Sequence, residues 1–257
     1  MGDELQQKKG KIKCKMSYSN VTIAEAEKRL GLRLDLLDEI PVGEMLGTAA
    51  SEKREGALEA EKFKGVKEEV YRLLVRYLQI EEKPAEADAD FEEDNINHLI
   101  FSILSPIVED VMLKNDRPNL PLRTQKEIVS KYGETGRTEE IAVKDRITYS
   151  EQKFILIVET ERSSLGEALK QCLLGLKDMG DNNGDGSKVY GFITTGETWQ
   201  MIEYDGISFR LTEEMFVLFT RMDRDKKRWM REFSVVVDCI YFALSHGGIV
   251  AKDLVVR

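Results

Sequence analysis

An apolar run without alternation, Phe154-Ile-Leu-Ile-Val158, constrains the fold of this chain more than any other segment. A strand that is apolar at every position has to be covered on both faces, which is typical of the centre of an α/β sheet. A helical apolar stripe from Leu165 to Leu176 follows the run, and a second strand pattern follows at Lys188–Thr195. Strand, helix and strand in this order predict a right-handed crossover between two parallel strands.

The segments around this unit predict further layers of the same domain. Apolar residues between Ile96 and Met112 repeat at intervals of three and four, which indicates a core helix that contains Pro106. Strand patterns near 121–130 and 139–148 precede the apolar run, a hairpin pattern follows at 198–211, and a long terminal helix is expected from Trp229 onward. We therefore predict an α/β fold with a central mixed sheet flanked by helices.

The N-terminal part of the chain contains patterns that predict helices, but no candidate catalytic or metal-binding residues. Thr22 and Glu25 have the spacing of a capping box, so a helix is expected near 22–30, and a second helical pattern covers 66–78. Eight carboxylates around Pro84 in residues 81–94 indicate an exposed connector. We expect three regions: residues 1–80 as a tail and helical extension, 81–91 as an acidic linker, and 92–257 as the α/β domain.

Composition narrows the classes of protein that this chain can be. The formal net charge is −9, so the whole molecule repels a phosphate backbone, and contact with nucleic acid requires a local patch or a metal ion. Cys14, Cys172 and Cys239 are far apart, which favours neither a zinc site nor a disulfide framework. The N-terminus lacks the apolar core of a signal peptide, and no run reaches the roughly 18 apolar residues of a membrane span. We expect an intracellular protein, cytoplasmic or nuclear, that does not cross a membrane.

Carboxylates follow the central strand pattern at its carboxyl end. Glu159 and Glu161 are two residues apart, so they share one face of a strand. Glu139 or Glu140 on the preceding strand shares that face too, and the spacing does not decide between them. Converging carboxylates repel one another unless a cation neutralises them, and hard oxygen ligands suit Mg²⁺ or Mn²⁺. The sequence thus predicts a divalent metal site, and Gln171 on the flank of the next helix is placed to reach it. Acids that are simply solvated at strand ends give the same pattern.

Two other groups of residues resemble binding motifs. Asp181–Gly186 fits the first half of an EF-hand loop, but Phe192 stands where the bidentate carboxylate is required, so we expect an ordinary turn. The densest basic cluster surrounds Trp229, whose place in the apolar stripe of the terminal helix favours the core. The candidate phosphate contacts in this cluster are Arg224, Lys226, Lys227, Arg228 and Arg231. An ordinary solvated face gives the same pattern.

The order helix, three strands, helix, strand, with an acid on the second strand and Glu159 on the third, resembles the PD-(D/E)XK superfamily of restriction-endonuclease-like nucleases. The similarity covers about residues 90–210. Its most specific part is the stretch from Tyr190 to Trp199, which is similar to uncharacterised members with a core of the form I-V-E-x-K … Q … Y-G-V-x-T-x-G-x-x-W. The resemblance implies a restriction-endonuclease-like core and metal-dependent cleavage of phosphodiester bonds.

The resemblance also implies roles for individual residues. Glu159 matches the metal-binding glutamate of E-x-K, and Gln171 matches a glutamine that orients the site. Glu139 or Glu140 stands where the family has an aspartate, and Glu161 stands where it has the lysine. A glutamate at that position reverses the charge, so it either binds a second metal ion or leaves the site without its cation. Lys170 or Arg162 is the candidate replacement for that cation, although a regular strand directs Arg162 away.

Two functions are therefore expected. The first is hydrolysis of DNA or RNA with Mg²⁺ or Mn²⁺, carried by Glu139 or Glu140, Glu159, Glu161 and Gln171, with Lys170 as the substitute cation. The second is a catalytically silent nuclease fold that binds protein or nucleic acid. The N-terminal region or the acidic linker is the expected surface for a protein partner.

Overall fold

The computed structural model describes residues 16–47, 63–81, 93–114, 117, 119–129, 135–146, 152–160 and 165–249. Within these ranges nine strands form one mixed sheet, and helices lie on both of its faces. The predicted α/β class is therefore confirmed. The strands are β1 Met16–Ser17, β2 Glu39–Ile40, β3 Leu122–Val129, β4 Thr135–Arg146, β5 Gln152–Thr160, β6 Val189–Thr194, β7 Thr198–Tyr204, β8 Phe209–Thr212 and β9 Met215–Phe216.

The helices agree with the apolar periodicities, except at the C-terminal end. The predicted helix from Trp229 begins instead at Val235, because Trp229–Phe233 forms a π-helical turn in which Ser234 N donates to Trp229 O. The Trp229 side chain is buried, as expected, and its Nε1 donates to Val217 O at 2.9 Å. The helices are α1 Ile23–Leu30, α2 Val42–Met45, α3 Lys64–Ile80, α4 Glu93–Lys114, α5 Leu165–Asn183, α6 Lys226–Arg228 and α7 Val235–His246.

Strand β5 lies near the centre of the sheet and is parallel to β6, with α5 as the connection, as predicted. β4 is antiparallel to β5, and β7 is antiparallel to β6, so the order across the middle is β4-β5-β6-β7-β8. The carboxyl ends of β5 and β6 consequently lie at one edge with the first residues of β4 and β7. We call this edge the upper edge of the sheet.

Two separate apolar cores explain why β5 carries no polar side chain between Lys153 and Glu159. One core lies between the sheet and α5 and includes Ile157, Cys172 and Ile193. The other lies on the opposite face, where α4 and α7 contact β5, and includes Val158 and Leu104. A strand between two such cores has to be apolar on both faces.

Helix α4 has a composition that also suits a membrane. By length and apolar content alone, Asn95–Lys114 is able to span one. Half of that window is buried inside the protein, and the helix packs against α3, α7 and β5. These contacts give α4 the surroundings of a core helix.

The N-terminal segment belongs to the same sheet and is more than a helical attachment. β1 pairs in parallel with the start of β4, and β2 pairs in parallel with β8. The predicted capping box is present, since Thr22 Oγ1 accepts from Glu25 N at 3.3 Å and Thr22 N donates to Glu25 Oε2 at 3.0 Å. Gly31 ends α1 at φ 71°, a left-handed conformation that favours glycine. The boundary near residue 80 stays a prediction, while residues 16–47 are packed on the α/β unit.

Gly191 on β6 allows α5 to approach the sheet closely. A Cβ atom at this position would lie 2.4 Å from Cys172 Sγ and 3.0 Å from Leu176 Cδ1. Both neighbours are fully buried, so neither is able to move aside without disturbing the core.

We expect Gly191→Ala to lower the free energy of unfolding by about 1–3 kcal/mol, because it overpacks this contact. Urea denaturation measures the loss, and adding Cys172→Ala should restore part of it. Gly65→Ala in the first turn of α3 is the matched control, since its Cβ meets no heavy atom within 4 Å. Equal effects of the two glycine substitutions would contradict the prediction.

Candidate functional site

Glu159 lies at the upper edge, on the face of the sheet that α5 covers. An extra residue in β5, Ile155, shifts the register with β4 between Val143 and Lys144. Ile155 and Leu156 therefore both enter the core under α4 and α7, and regular alternation follows. Ile157 faces α5 and Val158 faces away, which directs Glu159 toward α5. Its side chain is fully buried.

The register of β4 favours Glu140 over Glu139 as the residue that shares this face. Ile141 pairs with Val158 and Ala142 with Ile157, so the next position on β4, 140, falls opposite 159. Residues that are opposite in an antiparallel pair point to the same side, and 139 falls on the other side. The side chains of Glu139 and Glu140 and the whole of Glu161 lie outside the described residues. Convergence of the three carboxylates thus stays a prediction.

Gln171 occupies the flank of α5 on which the N-terminal segment packs. Ala168, Cys172 and Leu176 face the sheet, while Gln171 belongs to a neighbouring stripe with Leu174. The Gln171 side chain is largely buried, and its Nε2 atom lies 3.5 Å from Glu167 Oε1. Gln171 thus lies on a flank of α5, away from the stripe that faces the sheet, and its place at the rim of a carboxylate site stays a prediction.

The Lys170 amine contacts the N-terminal segment. Nζ donates to the carbonyl oxygen of Val21 at 2.8 Å and forms an ion pair with Glu167 Oε1 at 2.6 Å. The side chain is only 5% exposed, so the amine has little freedom to turn toward another partner. These contacts are on the outer flank of α5, which gives Lys170 a structural role beside the catalytic one that the sequence suggests.

Residues Met16–Leu30, which we call the N-terminal strap, dock on the same flank of α5. Tyr18 Oη donates to Asp178 Oδ2 at 2.5 Å, and Arg29 forms an ion pair with the other oxygen of Asp178. Burial raises the pKa of the Asp178 carboxyl, and the contacts with Tyr18 and Arg29 oppose that rise. Tyr18, Val21 and Ala26 pack on Leu174 in a small apolar cluster. Contacts with α5 are thus distributed over the strap from Tyr18 to Arg29.

The basic cluster lies at the upper edge but in the opposite layer from α5. β9 pairs with Thr198 and Trp199 at the start of β7, and the cluster follows β9 and leads into α7. Several of its cations already face acids: Arg228 and Arg231 contact Glu232, and Lys226 contacts Glu68. The cluster and Glu159 are on different faces of one edge, so the structure does not join them in a single pocket.

Sequence reasoning missed two buried carboxylates because each lies inside a regular element. Asp178 lies between Lys177 and Met179 in α5, and Glu203 is the second-last residue of β7. Glu203 Oε1 accepts from Lys188 Nζ at 3.1 Å and from Arg210 Nη2 at 2.6 Å. The position of Glu203 between the buried Ile202 and Tyr204 was the available signal, but its cations become visible only from the pairing of β7 with its neighbours: Arg210 is opposite Glu203 on β8, and Lys188 directly precedes β6.

No family model and no curated protein matches this chain. The described residues contain no group of three or more His, Cys, Asp or Glu side chains placed to hold a metal ion. Glu161 and the side chains of Glu139 and Glu140 lie outside the described residues, so the predicted ligand set stays a prediction.

The loop after α5 is a structural turn, as expected from the incomplete EF-hand pattern, but it begins only at Gly184, because Asp181–Asn183 form the end of the helix. Asp185 accepts from Ser187 N at 2.9 Å and forms an ion pair with Lys153 at 2.5 Å, which ties the loop to the start of β5. Burial opposes ionisation of Asp185, but Lys153 and Ser187 outweigh it and lower its pKa to about 2. Asn183 adds hydrogen bonds to Phe154 N and O.

We expect Asp185→Asn to cost about 1–2 kcal/mol of unfolding free energy at pH 7. The folded-state pKa lies below the unfolded value of about 3.9, so this stabilisation is complete above about pH 4 and is lost as the pH falls toward 2. Urea denaturation of wild type and variant at pH 7, 5, 4 and 3 measures the difference. A difference that stays constant over this range would contradict the assignment.

Proposed function

We propose that this protein is a divergent PD-(D/E)XK-type nuclease that hydrolyses phosphodiester bonds of DNA or RNA with Mg²⁺ or Mn²⁺. The element order α4-β3-β4-β5-α5-β6, with β5 parallel to β6, supports a restriction-endonuclease-like core. Binding sites in open α/β sheets lie outside the carboxyl ends of parallel strands, and Glu159 is at that edge.

The single observation that carries the proposal is the position of Glu159. A carboxylate without solvent exposure at the end of a central apolar strand is expensive to bury unless cations or hydrogen bonds stabilise its charge. A divalent cation held by Glu159, Glu161 and Glu140 would neutralise it, and carboxylate oxygens are the ligands that such ions prefer. The bound ion activates water and neutralises charge on the phosphate. Gln171, on the adjacent flank of α5, is placed to orient the ligands by hydrogen bonding.

The basic cluster supports the nucleic-acid substrate. It lies at the same edge as the carboxyl end of β5, so a bound strand that passes over this edge is able to contact both. Lys227 and Arg224 are exposed, and the Arg228 guanidinium lies 4.7 Å from the centre of the Phe219 ring. Positive charge at one edge compensates locally for the overall negative charge of the chain.

Calorimetric titration with Mn²⁺ tests the metal site. We expect wild type to bind the ion and Glu159→Gln to weaken binding by about 100-fold or more, because removing one charged ligand removes several kcal/mol of attraction. The matched control is Glu203→Gln, a second buried glutamate that lies on the opposite face of the sheet. Equal Mn²⁺ affinity in wild type and Glu159→Gln would overturn the proposed metal site.

Charge reversal tests the nucleic-acid contact. We expect Arg224→Glu with Lys227→Glu to weaken DNA binding and to reduce the slope of log affinity against log salt by about 2, one for each lost phosphate contact. Fluorescence anisotropy with a labelled oligonucleotide at several salt concentrations measures both quantities. Arg76→Glu with Lys114→Glu makes the same change in net charge elsewhere, and an equal loss in that control would show a general effect of charge.

A silent nuclease-fold module is the second candidate, and two observations favour it. Glu161 replaces the lysine of the family motif, and the Lys170 amine is already bound to Val21 and Glu167. Such a module would bind protein or nucleic acid without cleaving it. Incubation of labelled single-stranded and duplex DNA and RNA with Mn²⁺ separates the candidates, since only the enzyme gives cleavage that Glu159→Gln abolishes.

A further inference from the structure

A groove lies beside β9, next to the basic cluster. Its volume of about 420 Å³ falls within the range of about 300–1,000 Å³ that is usual for small-molecule sites. Its lining residues come from the segment that contains β9 and from the π-helical turn before α7, and they include Phe216, Glu232 and Phe233. We call this space the Phe216 groove.

Phe216 and Phe233 give the groove two aromatic rings. Phe216 is 54% exposed, although it lies in a strand of the central sheet. Phe233 is partly buried, and its ring centre lies 4.6 Å from that of Phe219, a contact that holds it in place. An isolated exposed ring needs no partner, but this exposed ring lines a groove together with a second one. Aromatic faces bind planar groups by stacking, so the groove offers a surface for a flat ring.

Two arginines of the basic cluster border the groove through Glu232. Arg228 Nε donates to Glu232 Oε2 at 3.0 Å, and Arg231 Nη2 donates to Glu232 Oε1 at 2.6 Å. Both side chains remain accessible, at 47% and 73% exposure. A guanidinium has five N–H donors, so one that is bound to a carboxylate still has donors for a phosphate. A phosphate at the border of the groove would thus meet two cations.

The acids of the groove decide which part of a nucleotide enters it. Glu213, Glu214 and Glu232 are lining residues, and their carboxylates repel a phosphate. A nucleobase is uncharged and planar, and the N–H groups of its Watson–Crick edge match carboxylate acceptors. In a duplex, stacking and pairing cover these faces and edges, so a base enters the groove only when it is unpaired.

We propose that the Phe216 groove holds an unpaired base of a single-stranded nucleic acid, stacked on Phe216, while Arg228 and Arg231 contact the phosphates on either side of it. This inference rests on the proposed nucleic-acid function and adds the strandedness of the substrate. Phosphate contacts alone do not select a strand form, because single strands and duplexes both carry phosphates. Stacking on a side chain does select one, since it needs an exposed base face.

Loss of the Phe216 ring should affect single strands and not duplexes. We expect Phe216→Ala to weaken binding of a labelled single-stranded oligonucleotide about tenfold and to leave binding of the duplex of the same sequence unchanged. The slope of log affinity against log salt should stay the same, because no phosphate contact is lost. Fluorescence anisotropy in the presence of a metal chelator measures these quantities for DNA and for RNA, and the comparison shows which polymer is bound more tightly.

Further variants of exposed residues serve as controls. Phe216→Tyr keeps the ring and should retain affinity, whereas Phe216→Leu keeps an apolar side chain without a ring and should lose it. Phe101→Ala removes a ring of similar exposure, 52%, from α4 and should have no effect. Unchanged single-strand affinity in Phe216→Ala would overturn the inference and leave the groove to the apolar anchor of a peptide. Full affinity in Phe216→Leu, or equal losses for single strand and duplex, would overturn it as well.

Crosslinking of the wild-type protein tests the position of the base without any variant. A single strand that carries an iodinated uracil should crosslink on irradiation to a peptide that contains Phe216 or Phe233, and crosslinks confined to other peptides would overturn the inference. The metal-free conditions separate this test from the proposed nuclease. Binding that depends on Phe216 without Mn²⁺-dependent cleavage would overturn the nuclease alone, and cleavage without Phe216-dependent binding would overturn this inference alone.

Discussion

Burial of β5 on both faces is the constraint on which the rest of the structure depends. The strand lies between the core under α5 and the core under α4 and α7, and it determines which neighbouring elements have to be apolar. Glu159, near the carboxyl end of β5, is the first acidic side chain of this buried strand. The same burial that fixes the sheet also makes this carboxylate costly unless a cation or strong hydrogen bonds stabilise it.

Much of the architecture could be predicted from the periodicity of apolar residues. The helix over 22–30, the core helix around Pro106, the hairpin after β6 and the parallel pair of β5 and β6 all have counterparts in the structure. The predicted terminal helix was displaced because the residues after Trp229 form a wider turn before α7 begins. Local patterns predict helix and strand well because the spacing of the apolar residues determines which face of each element is buried.

The site was harder to predict because its surroundings come from distant parts of the chain. Strand alternation alone left Glu139 and Glu140 equivalent, and only the register of β4 with β5 favours Glu140. The contacts of Lys170 with Val21, and of Asp178 with Tyr18 and Arg29, join positions about 150 residues apart. Neither contact leaves a signal in spacing, since single polar residues in a helix are also compatible with exposure.

The extra residue at Ile155 determines which face of the sheet Glu159 occupies at the upper edge. A strand alternates with a period of two, so inserting one residue inverts the inside and outside of everything that follows it. Without Ile155, Glu159 would point into the apolar layer beneath α7, and Val158 would face α5. A single-residue insertion upstream thus assigns the acidic end of the strand to the helix that carries the glutamine, and a deletion there would exchange the two sides without altering any residue of the motif.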